Sequence, residues 1–144
     1  MAVITRRYTR SVDFLTRLLA ILIIALCPCL TLKAEEVKIA DVLNIGMKSG
    51  ILTLKHNAMG DIKFKKRIYD GPPRLVFDLL EAKLPANNNF NQTNISNEIT
   101  SVRVAQFDAT TVRIVCEAKT LSALEKIKIE NIGQTLVFNF LLVI

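Results

Sequence analysis

The sequence predicts an all-β domain, a small sandwich or barrel, behind an N-terminal export or anchor segment. Three observations carry this. From residue 37 onward, apolar and polar side chains alternate with period two, the repeat of a strand with one buried face. Turn-forming residues interrupt that alternation about every eight to twelve positions. Residues 1–34 instead join a basic stretch to a short apolar run.

In that leader, Arg6, Arg7, Arg10 and Arg17 precede the run Leu18-Leu-Ala-Ile-Leu-Ile-Ile-Ala-Leu26, and Pro28 follows it. The run falls well short of the ~20 residues that span a bilayer and has the length of a secretory h-region. We therefore expect residues 1–34 to be a signal peptide or an N-terminal anchor, and 35–144 to be one folded domain. Cleavage after Ala34 would leave Leu32 two positions earlier, and cleavage after Thr31 would use Cys29 and Thr31, so the leader is read as either removed or retained. Membrane contact is expected only through an uncleaved leader.

The leader also distorts the charge. Of the formal +6, Arg6, Arg7, Arg10, Arg17 and Lys33 stand against Asp13 alone, leaving 14 basic and 12 acidic residues in the remainder. A net of about +2 is no nucleic-acid footprint, and no nucleic-acid partner is expected. Cys27 and Cys29 belong to the leader, which leaves Cys116 with no partner for a disulfide within the domain. Cys116 alternates in phase with Val112 and Ile114, so it is expected to be a buried apolar side chain.

A first strand is expected over 37–47, and Lys48-Ser49-Gly50 turns it into a second over 51–56. After Asn57-Ala58-Met59-Gly60, residues 62–69 place Ile62, Phe64 and Ile68 on one side and Lys63, Lys65 and Arg67 on the other. That basic run reads as a solvated face that discourages edge aggregation. Asp70-Gly71-Pro72-Pro73 is a strong turn, because glycine accepts positive φ and proline cannot donate to a central ladder. Residues 74–80 follow, with Leu75, Phe77 and Leu79 toward the core and Arg74, Val76 and Asp78 opposite. Residues 81–99, rich in Asn, lack periodicity and are expected to be a long surface loop. Strands over 100–107 and 112–118 flank a turn at Asp108-Ala109-Thr110, a helical turn is expected at 122–125, and 126–131 with 134–143 form a closing hairpin. Phe77, Leu75, Val104, Ile114, Phe138 and Phe140 should share one core.

Catalytic constellations are missing from the pattern. A zinc site needs several converging His, Cys or carboxylate ligands, and the single histidine, His56, between apolar residues near a strand end, is expected to take a surface or half-buried role. No nucleophile elbow, phosphate-binding glycine loop or paired-cysteine motif occurs. No enzymatic activity and no cofactor are expected. The remaining feature is a polar face made by Arg74, Asp78, Arg103 and Arg113, each opposite its apolar neighbours. Arginine's planar fork suits carboxylates, whether those of a ligand or of Asp78 in a structural pair.

The run Asp70-Gly-Pro-Pro-Arg-Leu-Val-Phe-Asp-Leu79, with Ser101-Val-Arg-Val-Ala-Gln-Phe-Asp108 and Thr111-Val-Arg-Ile-Val115 downstream, resembles the AMIN domain family, over about 37–143. That family takes its name from the N-terminus of cell-wall amidases and also occurs in type IV pilus secretins and stand-alone envelope proteins. The resemblance implies a periplasmic β-sandwich of two small antiparallel sheets that attaches its host to peptidoglycan. It carries over Arg74, Asp78, Arg103, Gln106 and Arg113 as the positions matching the family's polar motif residues, expected to bind ligand. An alternative role is a periplasmic interaction module for a secretin or amidase partner. Family members commonly continue into an amidase or secretin where this chain stops, so it reads as a lone module or as a fragment of a longer product.

Overall fold

The computed structural model describes residues 36–141. The expected leader, 1–34, lies outside them. Among the described residues, ten strands and one short helix follow in order: β1 Ala40–Lys48, β2 Ile51–His56, β3 Phe64–Tyr69, β4 Arg74–Leu80, β5 Ala82–Lys83, β6 Phe90–Thr93, β7 Ile99–Asp108, β8 Thr111–Ala118, α1 Leu121–Glu125, β9 Lys128–Ile132 and β10 Thr135–Asn139. They form two sheets, β5-β1-β2-β10-β9 and β3-β4-β8-β7-β6, antiparallel except for the β1–β5 pair. The all-β sandwich expected from alternation is the observed fold.

Local chemistry explains the bounds. Ser49 and Gly50, the two residues between β1 and β2, both take positive φ (50° and 73°), the geometry of a turn whose twist matches the flanking strands. Asp108 Oδ1 accepts from the Thr110 backbone N–H at 2.9 Å and closes the β7–β8 turn. Thr120 caps α1, its hydroxyl accepting from the Ala123 N–H at 3.3 Å.

One core lies between the sheets. Leu75, Phe77, Leu79, Val104 and Ile114 from one sheet meet Leu52, Leu54, Leu136 and Phe138 from the other, with Phe140 just beyond β10, all essentially without solvent contact. Phe77 and Phe138 meet edge to face across the layers, with ring centroids 5.1 Å apart. Cys116 is fully buried as expected, and burial pushes its thiol up to about 12, which keeps it unreactive at neutral pH.

Three expectations are corrected. Residues 81–99 are not one surface loop: β5 and β6 lie within them, and Ala82 and Leu84 are buried. β5 is held by Ala40 N–H donating to Glu81 O at 2.7 Å and Ala82 N–H to Thr110 O at 2.9 Å, backbone bonds that need no side-chain pattern. β6, Phe-Asn-Gln-Thr, is an edge strand beside β7 and shows solvent most of its side chains, so it lacks the apolar repeat that marks a half-buried strand.

His56 is fully buried, with 1% of its surface exposed, rather than at the surface or half-buried. It alternates in phase with Leu52 and Leu54, so strand geometry turns it inward; Nδ1 accepts from the Ala58 N–H at 3.3 Å. Finally, β3 does not bury an apolar side. Ile62 is buried just before the strand, but all six residues of β3 are exposed because it is a sheet edge.

Candidate functional site on the outer face of the second sheet

Register places side chains from four or five strands in three rows on the outer face of β3-β4-β8-β7-β6. The first row is Lys65, Asp78, Arg113 and Ala105. Next to it run Arg67, Val76, Val115, Arg103 and Asn91, and beyond these Tyr69, Arg74, Glu117, Ser101 and Thr93. Period two in each strand decides which residues reach this face, and pairing decides which of them meet.

Asp78 organises the first row. Arg113 grips its carboxylate in a two-pronged bond, Nε to Oδ1 at 2.7 Å and Nη2 to Oδ2 at 2.9 Å. Arg67 adds a third bond, Nη2 to Oδ2 at 2.6 Å. The hydrogen bonds from Arg113 hold the Asp78 carboxyl below the ordinary 3.8, against the opposing effect of burial, and Arg67 adds to the lowering. Asp78 is 3% exposed, so this carboxylate is spent inside the protein and its arginines form the surface. The Arg113 guanidinium also lies over the Phe107 ring, 3.4 Å from Cζ to centroid.

Glu117 organises the third row. It accepts from Arg103 Nη2 at 2.6 Å and from the Ser101 hydroxyl at 2.8 Å. Arg74, although in register with Glu117, instead lies over the Tyr69 ring at 5.0 Å. Among the described residues, Lys65 and Arg74 make no ion pair. The face thus carries Lys65, Arg67, Arg74, Arg103 and Arg113 against two carboxylates, both engaged, around a middle strip of Val76 and Val115. Such a surface presents donors and positive charge to an anionic, hydrogen-bonding ligand.

Four of the five motif positions, Arg74, Asp78, Arg103 and Arg113, therefore share one face. Gln106 lies apart from them. It stands in register with core residue Val112, and its carboxamide is committed to backbone: Oε1 accepts from the Leu84 N–H at 2.7 Å, while Nε2 lies 2.7–3.2 Å from the carbonyl oxygens of Ala82, Asp108 and Thr111. It ties the β5 segment to the β7–β8 turn.

Sequence reasoning did not place Lys65, Arg67, Tyr69, Phe107 or Glu117 in the site: Lys65 and Arg67 were read as part of a solvated basic run, and Phe107 only as a motif position. Arg67 was legible in part, since alternation in β3 sets it opposite Phe64 and Ile68, but its bond to Asp78 depends on β3 pairing with β4 in this register.

The AMIN domain family model matches residues 42–140. No curated protein matches the chain significantly.

Proposed function

The chain belongs to the AMIN domain family, and from that premise we propose that its folded domain is a non-catalytic module that binds peptidoglycan. AMIN domains are envelope modules associated with amidases and secretins. The single observation that supports wall binding most is the outer face of the second sheet, where five cations surround two engaged carboxylates and a valine strip. Cell-wall peptides offer the carboxylates and amides that arginine recognises in pairs. On this reading Arg74, Arg103 and Arg113 meet ligand together with Lys65 and Arg67. Asp78 holds Arg67 and Arg113 in place, and Gln106 acts only by positioning the β7–β8 turn.

The test is co-sedimentation of the full-length chain with purified sacculi free of protein. Arg74→Ala and Arg103→Ala should each weaken binding roughly ten- to a hundred-fold, the worth of one charge-assisted hydrogen bond. Melting should hardly move, since an exposed pair such as Arg103–Glu117 contributes at most about 1 kcal/mol. Lysine at either position should restore only part of the affinity, because it supplies charge without the fork. Unchanged sedimentation of both alanine variants would overturn the reading.

Export completes it. The mass of the protein extracted from the envelope should correspond either to loss of about residues 1–34 or to an intact, membrane-anchored chain. A full-length, freely soluble cytoplasmic species as the main form would contradict an envelope role.

A further inference from the structure

β3 is a sheet edge whose backbone is free on one side, and its chemistry selects what can pair there. The Lys63 carbonyl accepts from the Leu80 N–H at 2.9 Å. In an antiparallel pair the N–H and C=O of one residue point the same way and alternate along the strand. Lys65, Arg67 and Tyr69 therefore turn their backbone groups toward β4, and Phe64, Lys66 and Ile68 turn theirs outward. Among the described residues, those outward groups have no backbone partner.

Charge is what protects this edge from indiscriminate pairing, through Lys65, Lys66 and Arg67; the backbone itself stays open to an added strand. β3 is six residues long, holds no proline, and pairs with β4 without a bulge. The other edges differ: β5 has two residues, β6 has four, and β9 carries the mixed-sign pair Lys128 and Glu130. In β3 the charges are of one sign and consecutive, Lys65-Lys66-Arg67. The side facing away from Lys65 and Arg67 carries two large apolar residues in solvent, Phe64 at 53% and Ile68 at 39% exposure, with Lys66 between them.

We propose that β3 is a docking strand for an extended, acidic segment of another polypeptide, which adds to the sheet along this edge. An extended peptide backbone repeats donors and acceptors at the spacing of the outward ladder, which a glycan or nucleic acid does not, so the partner is a polypeptide. Its acidic residues lie beside Lys65 and Arg67 on the outer face, and its apolar residues cover Phe64 and Ile68 on the other, giving an alternating acidic and apolar sequence. A second copy of this chain is a poor occupant, because pairing two β3 strands sets lysine and arginine against one another. The same three cations repel basic edges and favour acidic ones.

The experiment uses the full-length chain and a labelled ten-residue peptide of alternating valine and glutamate. Three controls accompany it: the valine–lysine analogue, the valine–glutamate peptide N-methylated at alternate residues, and the variants Lys66→Pro and Lys66→Ala. Lys66 points its N–H away from β4, so proline there removes an outward donor and leaves the β3–β4 ladder intact. The valine–glutamate peptide should bind and slow amide exchange at Phe64, Lys66 and Ile68. Lys66→Pro should weaken binding about tenfold more than Lys66→Ala, as loss of a backbone bond implies, and N-methylation should do the same from the peptide's side.

Failure of the valine–glutamate peptide to bind overturns the proposal. So does equal loss with proline and alanine together with indifference to N-methylation, which would mean charge attraction without strand addition. Self-association of the chain that Lys66→Pro abolishes would assign the edge to a second copy and overturn it as well. Sacculus binding should be unchanged in Lys66→Pro, so this proposal and the wall-binding reading stand or fall separately.

Discussion

Replacing Phe77 with alanine should destabilise the domain by about 3–5 kcal/mol, the usual result of emptying a buried aromatic site. Phe77 has no exposed surface and sits where the layers meet, stacked on Phe64 with centroids 4.6 Å apart and edge-on to Phe138 at 5.1 Å. Its removal costs both the transfer of the ring and the aromatic pairing, and the rigid sheets on either side cannot close over the cavity. Phe138→Ala should behave alike, since Phe138 holds the other half of the same contact and is equally buried. Small domains have only about 5–15 kcal/mol in total, so either variant should unfold at much lower denaturant concentration. Phe64→Ala should cost clearly less, because Phe64 is half exposed before the change. A denaturation series on the three variants checks the order, and a Phe77→Ala midpoint equal to that of the unaltered protein would show that the sheets are not joined through this contact.

Asp78→Ala should be the next most damaging change, at about 2–4 kcal/mol. Breaking a buried ion pair from one side costs ~3–5 kcal/mol because the surviving charge loses its partner. Here Arg113 and Arg67 keep 26% and 50% of their side-chain surface in water, which moderates the loss. The variant should also weaken sacculus binding, since both arginines lose the group that orients them. Asp78→Asn separates charge from shape.

The pH dependence follows from the lowered carboxyl. In the folded protein Asp78 gives up its proton more readily than at the ordinary 3.8, so its stabilisation is fully present above that value. It is lost as pH falls from there through the lower folded-state value. Asp78→Asn should therefore lie below the unaltered protein at neutral pH and approach it under acid conditions. Parallel stability curves for the two proteins down to strongly acid pH would refute the assignment.

The elements legible in the sequence were those whose local signals agree. β2 and β4 occupy the expected residues because short apolar-rich runs with a core-facing repeat are bounded by turn residues at Ser49-Gly50 and Asp70-Gly71-Pro72-Pro73. β5 and β6 were hidden because the first is two residues long and held by backbone bonds and the Gln106 carboxamide, and the second has little apolar surface to bury. His56 was misjudged by its polarity, although its phase with Leu52 and Leu54 marked it as inward.

The site divides along the same line. Alternation by itself determined that Arg74, Asp78, Arg103 and Arg113 leave their strands on the side opposite the core, since each is one residue removed from an apolar neighbour in an unbroken repeat. It left the partners open, with Arg74 and Arg113 both in reach of Asp78 as a structural pair, and the structure pairs Arg113. Arg113 reaches Asp78 across 35 positions of chain, Arg103 takes Glu117, Arg74 turns to Tyr69, and Gln106 is drawn off to the backbone around Leu84. Those choices rest on strand order and register, which are set when two sheets close over Phe77 and Phe138. A one-residue slip in pairing would bring different charges together while leaving the sequence pattern of each strand unchanged.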